Sequence, residues 1–432
     1  MSDQRDIRIE VPVLARVEGE GALELAIEQG EISELRLRIF EPPRFFEKFV
    51  EGHRCDDVID MVARICGICP VAYQMSAAQA FERLFDIDPG SWVLDMRRAM
   101  YCGEWIQSHA LHIHLLAAPD FLGFNSALEM AADYPDEVRR GLTLQTLGND
   151  LIALFGGRSV HPVGLRVGGF YHAPSVREVD AMRARLDEAI PLAAALVGWC
   201  ASLDLPDDRQ SFTSVGLRHE QEYGIYSGRV VSDRGLDIDI NEWDAHIREI
   251  HQPHSTALHA ELHGEPYLVG PLARLNLNLD RLPPETMQLA RAGGVSFPSD
   301  NMFHSMLARA LELHMVLIEA QRLLQDYKVP KRAWVDWKPH AGIAYGASEA
   351  PRGTLWHRYE VDDEGRVTDA RIVPPTSQNQ GRIEQDIAQS LQQFGLDQDE
   401  DALRLRAETV IRNYDPCISC ATHFLKLKVR RT

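Results

Sequence analysis

A chain of 432 residues can bury a large core, and 45% hydrophobic with 25% charged residues is the balance of a globular protein. A net charge of −19 argues against nucleic acid as a partner, because phosphate binding needs a basic surface. No apolar run approaches the roughly 20 residues that span a bilayer, and the polar start predicts no secretory leader, so a cytoplasmic chain is expected.

Residues 7–40 alternate polar and apolar about Glu28-Gln29-Gly30, the pattern of a hairpin or small sheet. Arg16-Val17-Glu18-Gly19-Glu20 lies within it, and by spacing alone Glu18 reads as a solvated strand carboxylate. Pro42-Pro43 predict a helix start with Phe45, Phe46, Phe49 and Val50 on one side. Asp56 is the expected cap of a second helix, with Val58, Ile59, Val62 and Ile65 as its buried stripe. Arg64-Ile65-Cys66-Gly67-Ile68-Cys69-Pro70 follows, then helices over 72–85 and 91–117. His109, His112 and His114 on the second of these read as packed or hydrogen-bonded, since their face offers no further ligand. Gly156-Gly157 to Gly168-Gly169 is a glycine-rich turn without dinucleotide spacing. Ser175 to Glu178 is a capping box opening a helix to about Leu203, kinked at Pro191.

Residues 211–245 favour strands and turns, and His254, His259 and His263 sit in a stretch read as peripheral, partly helical and structural. A helical segment is expected over 283–326 and a hairpin over 356–374 about Asp362-Asp363-Glu364-Gly365. Near the C-terminus comes Asp415-Pro416-Cys417-Ile418-Ser419-Cys420-Ala421-Thr422-His423. Each Cys-x-x-Cys lets two thiolates face one ion from a single turn of backbone. The pairs stand 348 positions apart, from 69 to 417, which excludes a local zinc ribbon with knuckles roughly 15–20 residues apart. Four soft sulfurs suit zinc, iron–sulfur or nickel. The other cysteines, Cys55, Cys102 and Cys200, read as buried small apolar residues.

Arg-x-Cys-Gly-x-Cys-Pro early and Asp-Pro-Cys-x-x-Cys-x-x-His late resemble the two signatures of the large, catalytic subunit of nickel–iron hydrogenases, and the resemblance spans nearly the whole chain. It implies an α+β, mainly α fold: a central bundle of long helices with small peripheral β-sheets, in one domain over 1–432. Within it 1–40 would be the N-terminal β element, 41–205 helical with the first cysteine pair, and 206–280 peripheral β or irregular. Residues 281–423 would be helical plus a hairpin with the second pair, and 424–432 a cleaved extension. The implied cofactors are nickel, an iron carrying carbon monoxide and cyanide, and magnesium.

The same resemblance implies roles for residues. Cys66 and Cys417 would be terminal nickel ligands, with Cys69 and Cys420 bridging nickel to iron. Glu18 would relay protons to and from a metal-bound cysteine. Glu47, 19 positions before Cys66, would bind magnesium with the Ile372 carbonyl and His423. Arg352, in Glu349-Ala350-Pro351-Arg352-Gly353, would lie over the metals with Asp415 in the outer shell. Pro375 and Thr376 would line the cyanide side, with Ser377 the adjacent alternative to Thr376, and Ile68 would end a gas channel. Three positions depart from family habit: Glu20 and Tyr73 stand where histidine is common, and Ser108 where several relatives carry aspartate.

Heterolytic cleavage of dihydrogen needs a Lewis acid and a base, and protein side chains cannot supply the first. The chain has no spare cysteines for electron-carrying clusters, so an iron–sulfur small subunit is implied, with flavin- or NAD(P)-binding and further iron–sulfur subunits beyond it. A maturation protease is implied for the basic tail after His423. Two other classes remain open from the residues: a non-catalytic homologue of the respiratory complex I type, and a protein whose thiolates hold structural zinc.

Overall fold

The computed structural model describes residues 6–422; His423 and the extension after it lie outside the described residues. Strands Ile7–Val11, Gly21–Glu28 and Glu31–Ile39 form an antiparallel sheet in that order, pairing Ile7 with Ile27 and Val11 with Leu23. The turn between the last two has positive φ at both Gln29 and Gly30, the backbone that a two-residue hairpin demands.

Four long helices make the centre: Ser91–Leu111, Pro135–Gly156, Val176–Ser202 and Ser305–Leu324. The first two touch backbone to backbone. A Cβ on Gly148 would stand 2.5 Å from the Gln107 nitrogen and the Gly103 oxygen, so only glycine permits that approach. The capping box at Ser175 is formed, with Pro191 inside its helix. Gly342–Ala350, Gly353–Val361 and Val367–Val373 form a second antiparallel sheet, which contains the expected hairpin. Pro375–Phe394 and Glu400–Tyr414 then lead to the second cysteine pair. One core cluster runs from Val50 to Cys420, so both ends of the chain share it. The mainly helical α+β architecture with small sheets is the one expected, and no described helix is long and apolar enough to cross a membrane.

Several local expectations fail for physical reasons. The helix after Pro42-Pro43 is a single turn, Phe46–Phe49, with Phe45 left-handed outside it and Phe45 and Phe49 exposed. The two prolines favour extended backbone before them, and Gly52 turns the chain soon after. Arg54, not Asp56, precedes the helix Cys55–Val62; Asp56 instead accepts from the Val167 N–H at 3.1 Å. The 247–262 stretch is not helical but a hairpin of Ile247–His251 and Leu258–Leu262. The segment over 283–326 splits into Pro284–Ala292 and Ser305–Leu324, separated at Gly293-Gly294 and Pro298. Cys55, Cys102 and Cys200 are buried, as expected of small apolar residues.

A fully buried ionic network ties the helices to the second sheet. Arg274 bonds Glu312 through Nε and Nη2 at 2.8 Å each and Glu349 through Nη1 at 3.1 Å, while lying 4.2 Å over the Trp105 ring. It also donates to the Ala350 and Pro351 carbonyls, fixing the turn just before Arg352. Burial opposes ionisation of Glu312, but Arg274 and the His109 N–H outweigh it and hold that carboxyl at about 2. Burial lowers His109 to about 4, so it stays neutral and donates to Glu312.

Two outcomes follow from that network. Arg274→Met leaves two carboxylates buried without their cation and should cost about 3–5 kcal/mol in urea unfolding, whereas an unchanged midpoint would refute the network's importance. Acid should weaken the fold in two stages. The unfolded chain binds the His109 proton more tightly, so stability drops from pH 6.5 toward 4; Glu312 then loses its contribution as pH falls from 4.5 through about 2. A denaturation midpoint independent of pH over that span would contradict this.

Candidate metal centre

Each cysteine pair is placed by a helix start. The helix Cys55–Val62 tightens into the turn Ala63–Ile65, Cys66 is extended, and Cys69 precedes Pro70–Leu84 with Pro70 at its first position. The Ile68 and Cys69 N–H groups both donate to the Cys66 sulfur, at 3.3 and 3.2 Å. At the other end Asp415 closes Glu400–Tyr414 in the left-handed region, and Cys417 precedes the single turn Ile418–Ala421. The four sulfurs lie within 4.8 Å of one another and all are buried. Cys417 and Cys420 Sγ are 2.7 Å apart, Cys66 and Cys417 3.4 Å, and Cys69 and Cys420 3.7 Å. None is in a disulfide.

Backbone and side-chain clamps bring the two ends together. The Ile418 N–H donates to the Glu18 carbonyl at 3.0 Å, making a parallel bridge between Glu18 and Cys417. The Arg44 guanidinium reaches the carbonyls of both Ile65 and Ser419. Arg16, left-handed at φ 62°, donates to the Leu116 carbonyl and pairs with Asp120, which also binds Arg412 Nε at 2.6 Å. The loop carrying Glu18 is thus anchored to the helix that leads to Cys417.

Burial opposes ionisation of Cys66, but hydrogen bonds from the other three sulfurs and the charge of Arg352 hold it well below the usual thiol range. Burial pushes Cys417 and Cys420 up. One thiolate is therefore stabilised among thiols, and a thiophilic cation would release the remaining protons. A nest of four soft, enclosed sulfurs fits nickel and iron, with an Arg352 Nη1 beside it that has no hydrogen-bond partner among the described residues.

Glu18 Oε2 stands 3.1 Å from Cys417 Sγ and accepts from the Ser419 N–H at 3.0 Å. Arg352 donates to the Asp415 carbonyl at 2.7 Å and to its carboxylate at 3.0 Å. Burial alone would lower the Arg352 guanidinium, but Asp415 and the sulfurs hold it well above its ordinary value. The Thr376 hydroxyl accepts from the Cys417 N–H at 3.0 Å, at the start of the helix that Pro375 opens. Ile68 is half-buried, its carbonyl taken by Gln107 Nε2 at 2.6 Å. Glu47 Oε1 accepts from the Ile372 N–H at 2.8 Å, so two of the three expected magnesium residues meet; the third, His423, lies outside the described residues.

Two residues near the site escaped the sequence reading. Glu104 is fully buried in Ser91–Leu111 and accepts from the Val71 and Ala72 N–H groups at 2.6 and 3.1 Å, capping the helix that Cys69 starts. An acid inside an apolar helix was a usable signal. Glu41 accepts from the Ser419 hydroxyl at 2.9 Å, and nothing in its surroundings in sequence marks it. Tyr73 is buried with its hydroxyl unpartnered among the described residues, as is the Ser108 hydroxyl.

The family model described as "Nickel-dependent hydrogenase" matches residues 44–140 and 254–423. Sulfhydrogenase 1 subunit alpha of Pyrococcus furiosus is 32% identical over 425 residues, covering 97% of this chain and 98% of that one. The NAD-reducing hydrogenase HoxS subunit beta of Cupriavidus necator is 26% identical, covering 97% and 95%. A crystal structure of an NAD+-reducing nickel–iron hydrogenase in the H2-reduced state superposes with a TM-score of 0.86 at 29% identity, covering 96% of this chain and 99% of that one. With two cysteine pairs converging in one buried nest and likeness along its whole length, the chain belongs to the nickel-dependent hydrogenase family.

Proposed function

We propose that this chain is the catalytic subunit of a nickel–iron hydrogenase, cleaving dihydrogen reversibly and heterolytically into protons and electrons. The observation that carries the reading is the Glu18 carboxylate 3.1 Å from one of four buried sulfurs drawn from both ends of the chain. Cys66, Cys69, Cys417 and Cys420 would together hold nickel and an iron, the latter with carbon monoxide and cyanide as its further ligands. Glu47, the Ile372 carbonyl and His423 would hold magnesium; Pro375 and Thr376 would line the cyanide side, and Ile68 would end the gas path. The bound nickel–iron group supplies the Lewis acid that side chains lack.

The chain's own residues do the proton work. Cys417 Sγ accepts a proton and Glu18 Oε2 takes it on, within direct hydrogen-bond reach. The Ser419 amide fixes that carboxylate, while the Ser419 hydroxyl donates to the half-buried Glu41 nearby. Arg352, held by Asp415, keeps a positive charge beside the sulfurs and favours their ionised form.

Electrons leave through an iron–sulfur small subunit, since the three remaining cysteines are buried singly. Likeness to NAD-reducing relatives supports NAD(P) as the final acceptor, flavin and further iron–sulfur subunits, and a cytoplasmic setting. The extension after His423, basic with Lys426, Lys428, Arg430 and Arg431, is removed by a maturation protease once nickel is in place. Elemental analysis with infrared spectroscopy of the purified enzyme tests the cofactor: nickel and iron with carbonyl and cyanide bands are expected, and zinc alone would overturn it. Intact mass tests the tail: an active, nickel-loaded chain still ending at Thr432 would refute cleavage.

A further inference from the structure

A second cluster of metal-ligating groups lies away from the four sulfurs. His254 stands in the turn between Ile247–His251 and Leu258–Leu262, His259 on the second of those strands, and Glu384 on the helix Pro375–Phe394. Each offers one ligand atom, and the three atoms lie within 4.8 Å of one another. His254 Nε2 is 2.9 Å from Glu384 Oε1, and the His254 and His259 rings stand nearly perpendicular with centroids 5.7 Å apart. Glu384 Oε1 also accepts from the Leu37 N–H at 2.9 Å, the kind of outer contact that orients a ligating carboxylate.

His259 is the informative member. It is 4% exposed, and its Nε2 is enclosed with no hydrogen-bond partner among the described residues. A buried polar atom without a partner is costly. Burial lowers His259 to about 4, so the ring is neutral, the form in which imidazole binds metal. His254 and Glu384 are half-buried, which leaves an ion a way in.

We infer that His254, His259 and Glu384 bind a divalent transition-metal ion of the zinc type, distinct from the four-sulfur centre. Two imidazoles and a carboxylate suit zinc, with water in the remaining position. Ligand atoms at 2.0–2.1 Å from a tetrahedral ion stand about 3.3 Å apart, so modest side-chain rotation closes the set. The ion ties the Ile247–Leu262 hairpin to the helix whose first turn carries Thr376. The Leu37 contact and the Thr256 hydroxyl, which donates to the Ile39 and Glu41 carbonyls at 2.9 Å, extend the tie to the N-terminal sheet. The ion is thus a clamp on the frame around the centre and takes no part in the chemistry there.

The test uses the holoenzyme with nickel and iron in place, so the four sulfurs are already occupied. After chelator treatment, zinc is titrated and bound zinc counted, and cobalt(II) is substituted to read its ligands by visible absorption. One equivalent of zinc, a melting temperature raised by zinc, and cobalt bands without thiolate charge transfer are expected. His259→Asn should abolish all three, and His254→Gln, at a less buried position, should weaken zinc binding at least tenfold if His259→Asn does not fold. No zinc uptake, uptake unchanged in the variants, or thiolate charge transfer in the cobalt spectrum would each overturn the inference.

Discussion

Serine at any one of Cys66, Cys69, Cys417 or Cys420 should bring hydrogen uptake and evolution below detection. The substitution barely changes volume, so the fold should persist; the loss is chemical. A hydroxyl stays protonated where a thiol ionises, and it is a hard donor where nickel is held by soft ones. At Cys66 the change also removes the sulfur that accepts two N–H groups and the charge that Arg352 faces. Nickel content should fall with activity, while circular dichroism and melting temperature stay close to those of the parent. A variant with full activity and nickel still bound would remove the shared site from the account.

How far the chain could be read from its sequence depended on how local each signal was. A Cys-x-x-Cys is local: three residues' worth of backbone sets both sulfurs, and the helix starts at Pro70 and Ile418 present them as the spacing demands. That the two pairs meet was implied by the resemblance to a family; their spacing alone excluded only a local ribbon. Glu18 was different. Its partner Cys417 is 399 positions away, and only the resemblance to a family singled it out from other strand carboxylates. Glu41 had no such aid, because its link to Ser419 arises where the first sheet meets the last helical turn. Glu104 was hidden by the helix around it: periodicity reads a face, and that helix is buried on nearly every side.

The expectations that failed concerned the extent of some elements and the type of others. Phe45, Phe46 and Phe49 look like a helical stripe, yet two prolines and Gly52 leave room for one turn only. The histidines at 254, 259 and 263 read as a partly helical, structural stretch, whereas His259 lies on a strand and His254 in the turn before it. Seen folded, two of them converge on a glutamate more than a hundred positions later, which no spacing rule within the stretch contains.

Glu18→Gln should lower turnover and hydrogen–deuterium exchange into solvent about 10²–10⁴-fold, the usual worth of a positioned acid–base group. The amide keeps the size of the carboxyl, and its oxygen can still accept from the Ser419 N–H, so the loop and the Glu18–Cys417 bridge should survive. What the variant lacks is a group that takes a proton from Cys417 Sγ and releases it again. Nickel and iron content should therefore match the parent, separating this outcome from that of the cysteine variants. Glu18→Asp should fall between the two, because it titrates but draws the carboxylate back by one methylene from a sulfur now 3.1 Å away. Glu41→Gln should slow exchange less than Glu18→Gln, since solvent can reach a half-buried Glu18 without it. If Glu18→Gln exchanges isotope at the parent rate with its metals in place, protons leave the sulfurs by another route and the relay assigned to Glu18 is wrong.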